Sequence, residues 1–155
     1  MDLDFSRKLI KGKIVELIFQ EMFSLSEEFT VLPLGYEHTT PVLAQYQHHV
    51  QVKKVLENIR NAPDFALISQ DKTKVFLVEV KYRHEFSKED TFRLARTISN
   101  NWDPCFLFVA THDSFYMSPC SSIVDKGGEI EKLRESWIKK DIQEAYIPLL
   151  QEFIK

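Results

Sequence analysis

The chain has few of the residues that mark secreted, fibrous or disordered proteins. It contains only two cysteines, Cys105 and Cys120, and four glycines among 155 residues. Two cysteines without metal-ligand spacing exclude a disulfide framework and a cysteine zinc site. So little glycine, with 44% apolar residues, argues against a disordered chain. Cys105 lies in an apolar run, so we expect a reduced thiol in the core.

The sequence also lacks a long apolar run. No stretch approaches the roughly 20 consecutive apolar residues that a membrane helix needs. The first ten residues, MDLDFSRKLI, begin acidic and do not have the continuous apolar run of a signal peptide. We therefore expect an intracellular, cytoplasmic protein without a membrane partner.

Excess positive charge is missing as well, since the formal net charge is -3. Nucleic-acid binders are often basic overall, so this value argues mildly against one. A local basic patch matters more than the total, however, and a bound cation adds positive charge that the sequence does not show. The net charge therefore does not exclude a nucleic-acid partner.

The spacing of apolar residues predicts an α/β protein of one domain, with a mixed central sheet flanked by helices. In the first predicted helix, Ile10, Ile14, Leu17 and Ile18 recur at helical spacing, and Val15, Phe19 and Met22 widen the apolar arc. Strands are predicted over 30–34, 65–69, 74–81 and 105–110, and helices over 7–23, 41–60, 87–100 and from 129 to the C-terminus.

Two neighbouring predicted strands place acids where they can meet. Asp64 begins the first strand, and Glu79 lies near the end of the second. If the strands form a hairpin, the start of one meets the end of the other, so both carboxylates reach the same edge of the sheet. Such hard oxygen ligands suit Mg²⁺ or Mn²⁺, which keep water ligands and bind phosphate oxygens.

A lysine follows the second acid on the same face. Residues two apart on a strand point to the same side, so Glu79 and Lys81 share a face and Val80 points to the other. The carbonyl of Val80 is then available as a further metal ligand. Lys81 can orient or deprotonate an attacking water, or offset charge on a phosphate. The pattern predicts a metal-dependent site that hydrolyses phosphodiesters.

These residues resemble the signature of the PD-(D/E)xK nuclease superfamily, which consists here of Pro63-Asp64 followed by Glu79-Val80-Lys81. KGKIVE, ending at Glu16, and VLPLGYE, ending at Glu37, resemble the first helix and the first strand of that family. The resemblance covers about residues 8–110 of a single domain spanning 1–155. It leaves a C-terminal helical extension, about residues 128–155, unaccounted for, and it implies a restriction-endonuclease-like core.

The resemblance also implies residue roles and an activity. Asp64 and Glu79 would be metal ligands, Lys81 the catalytic lysine, and Glu16 an accessory acid that completes the metal shell. The protein would then be an endonuclease that cuts DNA with Mg²⁺ or Mn²⁺ and leaves a 5′-phosphate. Many small members act as homodimers. Because no separate target-recognition domain is visible, cutting would be weakly specific or directed by a protein partner.

The identity of the accessory acid stays open at this stage. Glu16 lies at the edge of the apolar arc of its helix, and Gly12 matches the family spacing, so we prefer Glu16. Glu21 is the competitor, since it falls inside that arc, where a buried carboxylate needs a partner. Glu37 is a weaker candidate.

Three arginines are candidates for nucleic-acid binding. Arg83 continues a basic cluster that begins at Lys81, although it also fits an ordinary surface loop. Arg93 and Arg96 lie one turn apart on the next predicted helix and could hold a phosphate backbone. The alternative for Arg93 is an ion pair with Glu89, one turn earlier.

Two other functions remain open. The first is a non-catalytic module of the same fold that binds nucleic acid or protein. The second is a metal-dependent hydrolase of small phosphoesters, whose activity would not depend on the length of a nucleic-acid chain.

Overall fold

The described part of the chain, residues 3–34 and 62–154 of a computed structural model, contains four helices and five strands. The predicted helix over 41–60 lies outside these residues. The elements are α1 (Leu3–Leu25), β1 (Phe29–Pro33), β2 (Phe65–Ser69), β3 (Val75–Tyr82), α2 (Lys88–Asn101), β4 (Cys105–Ala110), β5 (Phe115–Pro119), α3 (Cys120–Asp125) and α4 (Lys140–Phe153).

The five strands form one mixed sheet in the order β1-β2-β3-β4-β5. Neighbours are antiparallel except β3 and β4, which run parallel and are connected through α2. The α/β class and the mixed sheet are thus confirmed. The sequence pattern missed β5, which pairs with β4 at the edge of the sheet.

Helices cover both faces of the sheet. On one face, α1 and α4 pack over Val78 and Val80 of β3 and Phe108 of β4. On the other face, α2 and α3 pack over Leu77 and Leu107. The period of two along β3 sends alternate side chains into each layer. This agrees with the expectation that a strand with apolar residues on both sides is central and covered twice.

The buried stripe of α1 differs from the predicted one. Ile10 and Leu17 were expected to face the core, but they are 57% and 61% exposed. Ile18 is buried as expected, as are Val15, Phe19 and Met22 of the wider apolar arc, and Phe23 is buried with them. The apolar arc of this helix is wider than the surface available to it. The two phenylalanines take that surface because their rings pack against other aromatic rings of the core.

Helical structure near the C-terminus begins later than predicted. We expected a helix from Glu129, but α4 begins at Lys140. The preceding segment runs along the edge of β5, where Met117 N–H donates to the Glu131 carbonyl (2.9 Å) and Leu133 N–H to the Phe115 carbonyl (2.9 Å). The apolar side chains that suggested a helix face the core from this segment instead, because strand pairing satisfies its backbone.

The expected burial of the Cys105 thiol is confirmed, and a side chain caps the start of α2. Ser87 caps α2, with its side chain accepting a hydrogen bond from Asp90 N–H at 3.1 Å. Cys105 and Cys120 are both buried free thiols. Over the described ranges, none of the helices combines the length and apolar character needed to cross a bilayer.

Candidate active site

The β2–β3 hairpin brings Asp64 and Glu79 together, as expected from the sequence. Phe65 of β2 pairs with Val78 of β3 in antiparallel register. Asp64 precedes Phe65, and Glu79 follows Val78, so the two acids stand opposite each other at the end of the paired region. Their carboxyl groups lie within hydrogen-bonding reach of each other.

The backbone around Val80 is arranged unusually for a strand. Its N–H donates to Asp64 Oδ2 at 2.8 Å, so a side chain replaces the usual strand partner. Continuing the register places Pro63 opposite Val80. A proline has no N–H to donate, so the Val80 carbonyl has no ladder partner on that side. The Pro-Asp pair thereby leaves a carbonyl oxygen beside two carboxylates.

Burial changes the protonation of this acid pair. It raises the pKa of Asp64 to about 7, and the neighbouring Glu79 adds to the rise, against the Val80 N–H and Lys81. Burial also raises the pKa of Glu79, whose side chain is only 12% exposed. Two adjacent buried carboxyls resist being ionised together, so they hold a proton between them or require a cation.

Lys81 lies on the same face as Glu79, as the strand period predicted. Its Nζ is 3.5 Å from Glu79 Oε1, and about a third of its side chain is exposed. It lines a cavity of about 650 Å³ together with Asp64 and Val80. An ammonium group is therefore placed beside the acid pair, where solvent and a ligand can reach it.

The predicted accessory acid reaches the cavity but not the acid pair. Glu16 lines the 650 Å³ cavity and an adjoining one of about 390 Å³, and it is ion-paired with Lys13 at 3.2 Å. Its competitor Glu21 is exposed on α1 and is not among the lining residues of either cavity, so the wheel position inferred for it was wrong. Glu37 lies outside the described residues.

The donor atoms fit a hard divalent cation bound mainly through water. Within residues 3–34 and 62–154, no group of three or more His, Cys, Asp and Glu side chains is close enough to hold a metal. Mg²⁺ is commonly bound through one or two carboxylates, with water and substrate phosphate in the other positions. Asp64, Glu79 and the Val80 carbonyl provide such an oxygen set, whereas the imidazole and thiolate ligands that zinc prefers are absent from it.

The three predicted arginines do not form one surface. Arg83 lines the cavity, but its Nε is 2.9 Å from Asp90 Oδ2 and its NH1 is 2.9 Å from the Tyr82 carbonyl. It therefore ties the end of β3 to the start of α2. Arg93 and Arg96 are exposed on α2 and are not among the residues that line the cavity.

The sequence reasoning missed the wall that α1 contributes to the cavity. Lys8, Lys11 and Gly12 lie across from Asp64 and Lys81. A signal was present, because Lys8 and Gly12 precede Glu16 by eight and four residues and so share its face of the helix.

No protein-family model matches this chain, and no match is found among curated proteins or solved structures. The functional assignment therefore depends on the chemistry of Asp64, Glu79 and Lys81.

Proposed function

We propose that this protein is a Mg²⁺- or Mn²⁺-dependent nuclease that hydrolyses phosphodiesters in DNA. The observation that supports this most is the buried pair of Asp64 and Glu79, with Lys81 beside it and a 650 Å³ cavity in front of it. Burying two like charges opposes folding, and such pairs occur mainly where they bind a cation or react.

The residues at the acid pair would have separate roles in phosphodiester hydrolysis. Asp64, Glu79 and the Val80 carbonyl would hold the ion, which when bound supplies an acidified water and offsets phosphate charge. The Val80 N–H fixes the Asp64 carboxylate, so this ligand does not have to be ordered when substrate binds. Lys81 lines the cavity, where its ammonium would orient the attacking water or stabilise negative charge that develops on the phosphate.

The order of the elements supports a restriction-endonuclease-like core. A helix, α1, precedes an antiparallel hairpin, and a parallel strand, β4, follows through a helical crossover. The acid pair lies at the end of the hairpin where β3 extends beyond β2. This is the position in which the resemblance expects the metal ligands.

One observation favours the alternative of a non-catalytic binding module. Glu16 is paired with Lys13, and the acid pair has no third carboxylate within reach among the described residues. A binding module would bind nucleic acid or protein without metal-dependent turnover. The outcome of a cleavage assay separates the two functions.

The experiment compares four proteins on supercoiled, linear, flapped, branched and single-stranded DNA and on RNA, with Mg²⁺ or Mn²⁺. We expect wild type to cut DNA, and Asp64→Asn and Lys81→Gln to lose activity by about 100-fold or more. Asp71→Asn, at the other end of the same hairpin, is the matched control and should cut like wild type.

Equal cutting by all four proteins would place the activity elsewhere and refute the proposal. Binding of DNA without any cutting would support the binding module. Turnover of a nucleotide monoester, with no cutting of longer chains, would indicate a hydrolase of small phosphoesters.

A further inference from the structure

The wall of the cavity that α1 provides has no role in the chemistry described above. Lys8, Lys11 and Gly12 face the exposed end of β3 across a space of about 650 Å³. Asp64 and Lys81 line the same space, so a ligand bound at the acid pair lies in the same cavity as this wall.

The charge of this wall contrasts with the charge of the chain. Four lining residues are cationic, Lys8, Lys11, Lys81 and Arg83, while the lining acids are Glu16 and Asp64. The whole chain has a formal net charge of -3. The cavity is therefore locally positive in an acidic protein, which favours an anionic ligand there over other parts of the surface.

The two lysines of α1 are the cations that remain available to such a ligand. Arg83 is paired with Asp90, and Lys81 lies beside Glu79. Neither Lys8 nor Lys11 forms an ion pair with an acid in the described ranges.

Lys11 is held in place by an aromatic ring instead of an acid. Its Nζ lies 5.7 Å from the centroid of the Tyr82 ring. A cation–π contact restrains the ammonium without neutralising its charge. Its remaining N–H groups can donate hydrogen bonds to an anion in the cavity.

Gly12 leaves open space at the part of the cavity wall that these lysines share. A Cβ added at Gly12 would meet no atom within 4 Å, so neither packing nor a positive φ requires glycine there. A glycine inside a helix is less favourable than alanine. A larger side chain at position 12 would fill this open space at the wall of the cavity.

We propose that Lys8 and Lys11 bind the phosphodiester backbone of DNA next to the scissile phosphate, and that Gly12 leaves room for the strand. This inference rests on the proposed function and specifies how the substrate is held. It assigns backbone binding to α1 and not to Arg93 and Arg96, which are exposed on α2 outside this cavity.

The first test measures binding of a labelled DNA duplex by fluorescence anisotropy, with EDTA and over a series of salt concentrations. The Lys8→Gln/Lys11→Gln double variant should bind about 10-fold more weakly. Its plot of log affinity against log salt should be shallower by nearly 2, since each lost phosphate contact lowers the slope by about 0.9. Arg93→Gln/Arg96→Gln removes the same charge and should keep the wild-type slope.

Equal losses of DNA affinity in the two double variants would show that only the overall charge of the protein matters, and this would overturn the inference. Wild-type affinity and slope in the lysine variant would overturn it too, as would failure of wild type to bind DNA at all.

The second test uses Gly12 and separates binding from stability. Gly12→Ala and Gly12→Leu should both raise the melting temperature by a few degrees, since both residues favour a helix. Gly12→Leu should nevertheless bind DNA about 10-fold more weakly than Gly12→Ala, because its side chain projects into the cavity. Equal binding by the two variants would overturn the role assigned to Gly12.

These measurements do not depend on cleavage. A protein that binds DNA through Lys8 and Lys11 but never cuts it would contradict the nuclease proposal and leave only backbone binding by these two lysines standing. A protein that cuts DNA, with binding unaffected by the lysine substitutions, would do the reverse.

Discussion

Two aspartates at opposite ends of one hairpin have opposite electrostatics. At the acid pair, burial raises the pKa of Asp64 to about 7. In the turn between β2 and β3, hydrogen bonds lower the pKa of Asp71 to about 2. The two residues are seven positions apart and share a side-chain chemistry, so the difference comes entirely from their surroundings.

The turn is built to keep Asp71 ionised. The hydroxyl of Thr73 donates to Asp71 Oδ1 at 2.7 Å, the Thr73 N–H at 3.0 Å and the Ser69 hydroxyl at 2.7 Å. These bonds close the turn around Lys72, which adopts a φ of 60°. An exposed carboxylate with three donors stabilises local structure.

At Asp64 the interactions that oppose ionisation of the carboxyl outweigh those that favour it. Within the described residues, one N–H donor, from Val80, supports its charge, while burial and Glu79 oppose it. Hydrogen-bonded groups in a turn thus favour the fold, whereas the acid pair weakens it until a cation or a proton is bound. This contrast is typical of a functional site.

The largest expected effect is on the pH dependence of stability without metal. Because the pKa values of Asp64 and Glu79 are raised, the folded state binds more protons than the unfolded state between about pH 4 and 7. The contribution of the pair to the unfolding free energy therefore falls as pH rises through that window, by a few kcal/mol.

Asp64→Asn should remove most of that fall. The asparagine oxygen can still accept from Val80 N–H, and its amide can donate to Glu79. Urea unfolding in EDTA should find the variant more stable than wild type at about pH 8 and closer to it at about pH 5. Carboxyls away from the pair titrate alike in both proteins, so the difference isolates the coupled pair of Asp64 and Glu79. A variant less stable than wild type at the higher pH would contradict the repulsion inferred for the acid pair.

Binding of a cation should offset the loss of folding stability that the acid pair causes. Mg²⁺ or Mn²⁺ competes with the shared proton, so apparent affinity should rise about 10-fold between pH 5 and 6, below the pKa of Asp64, for each proton displaced. The rise in melting temperature with added metal should follow the same trend and be absent in Asp64→Asn. Metal stabilisation that does not change with pH would show that the ion binds away from the pair.

The next effect tests whether α1 belongs to the same site. Glu16 lines the cavity, whereas Glu21 is exposed elsewhere on the helix. Glu16→Gln should weaken Mn²⁺ binding by about 10-fold, as expected for a group that supports a metal through water. Glu21→Gln removes the same charge from the same helix and should leave affinity unchanged. Equal effects in calorimetric titrations would exclude Glu16 as the accessory acid.

Sequence patterns predicted the hairpin and its acids because the information is local. The alternation along β3, the polar turn after Ser69 and the Pro63-Asp64 step are all readable within about twenty residues. The register then follows from the turn, so the meeting of Asp64 with Glu79 could be foreseen.

The features that the sequence did not predict depend on contacts between segments far apart in the chain. The buried side of α1 is chosen by rings such as Phe65 and Phe108 on the sheet. The extended segment that includes Glu131 is fixed by pairing with β5, which sequence reasoning had missed. Likewise, the sequence could not show that Arg83 is tied to Asp90.

The smallest expected effect is at the turn. The pKa of Asp71 is lowered, so its contribution to stability is present above about pH 4 and lost as pH falls toward about 2. Asp71→Asn should therefore lower the melting temperature at neutral pH, and the difference from wild type should shrink in acid. Metal binding and DNA cutting should not change. If Asp71→Asn raised stability at neutral pH, as Asp64→Asn is expected to do, the hydrogen bonds of Ser69 and Thr73 would not explain the contrast between the two aspartates.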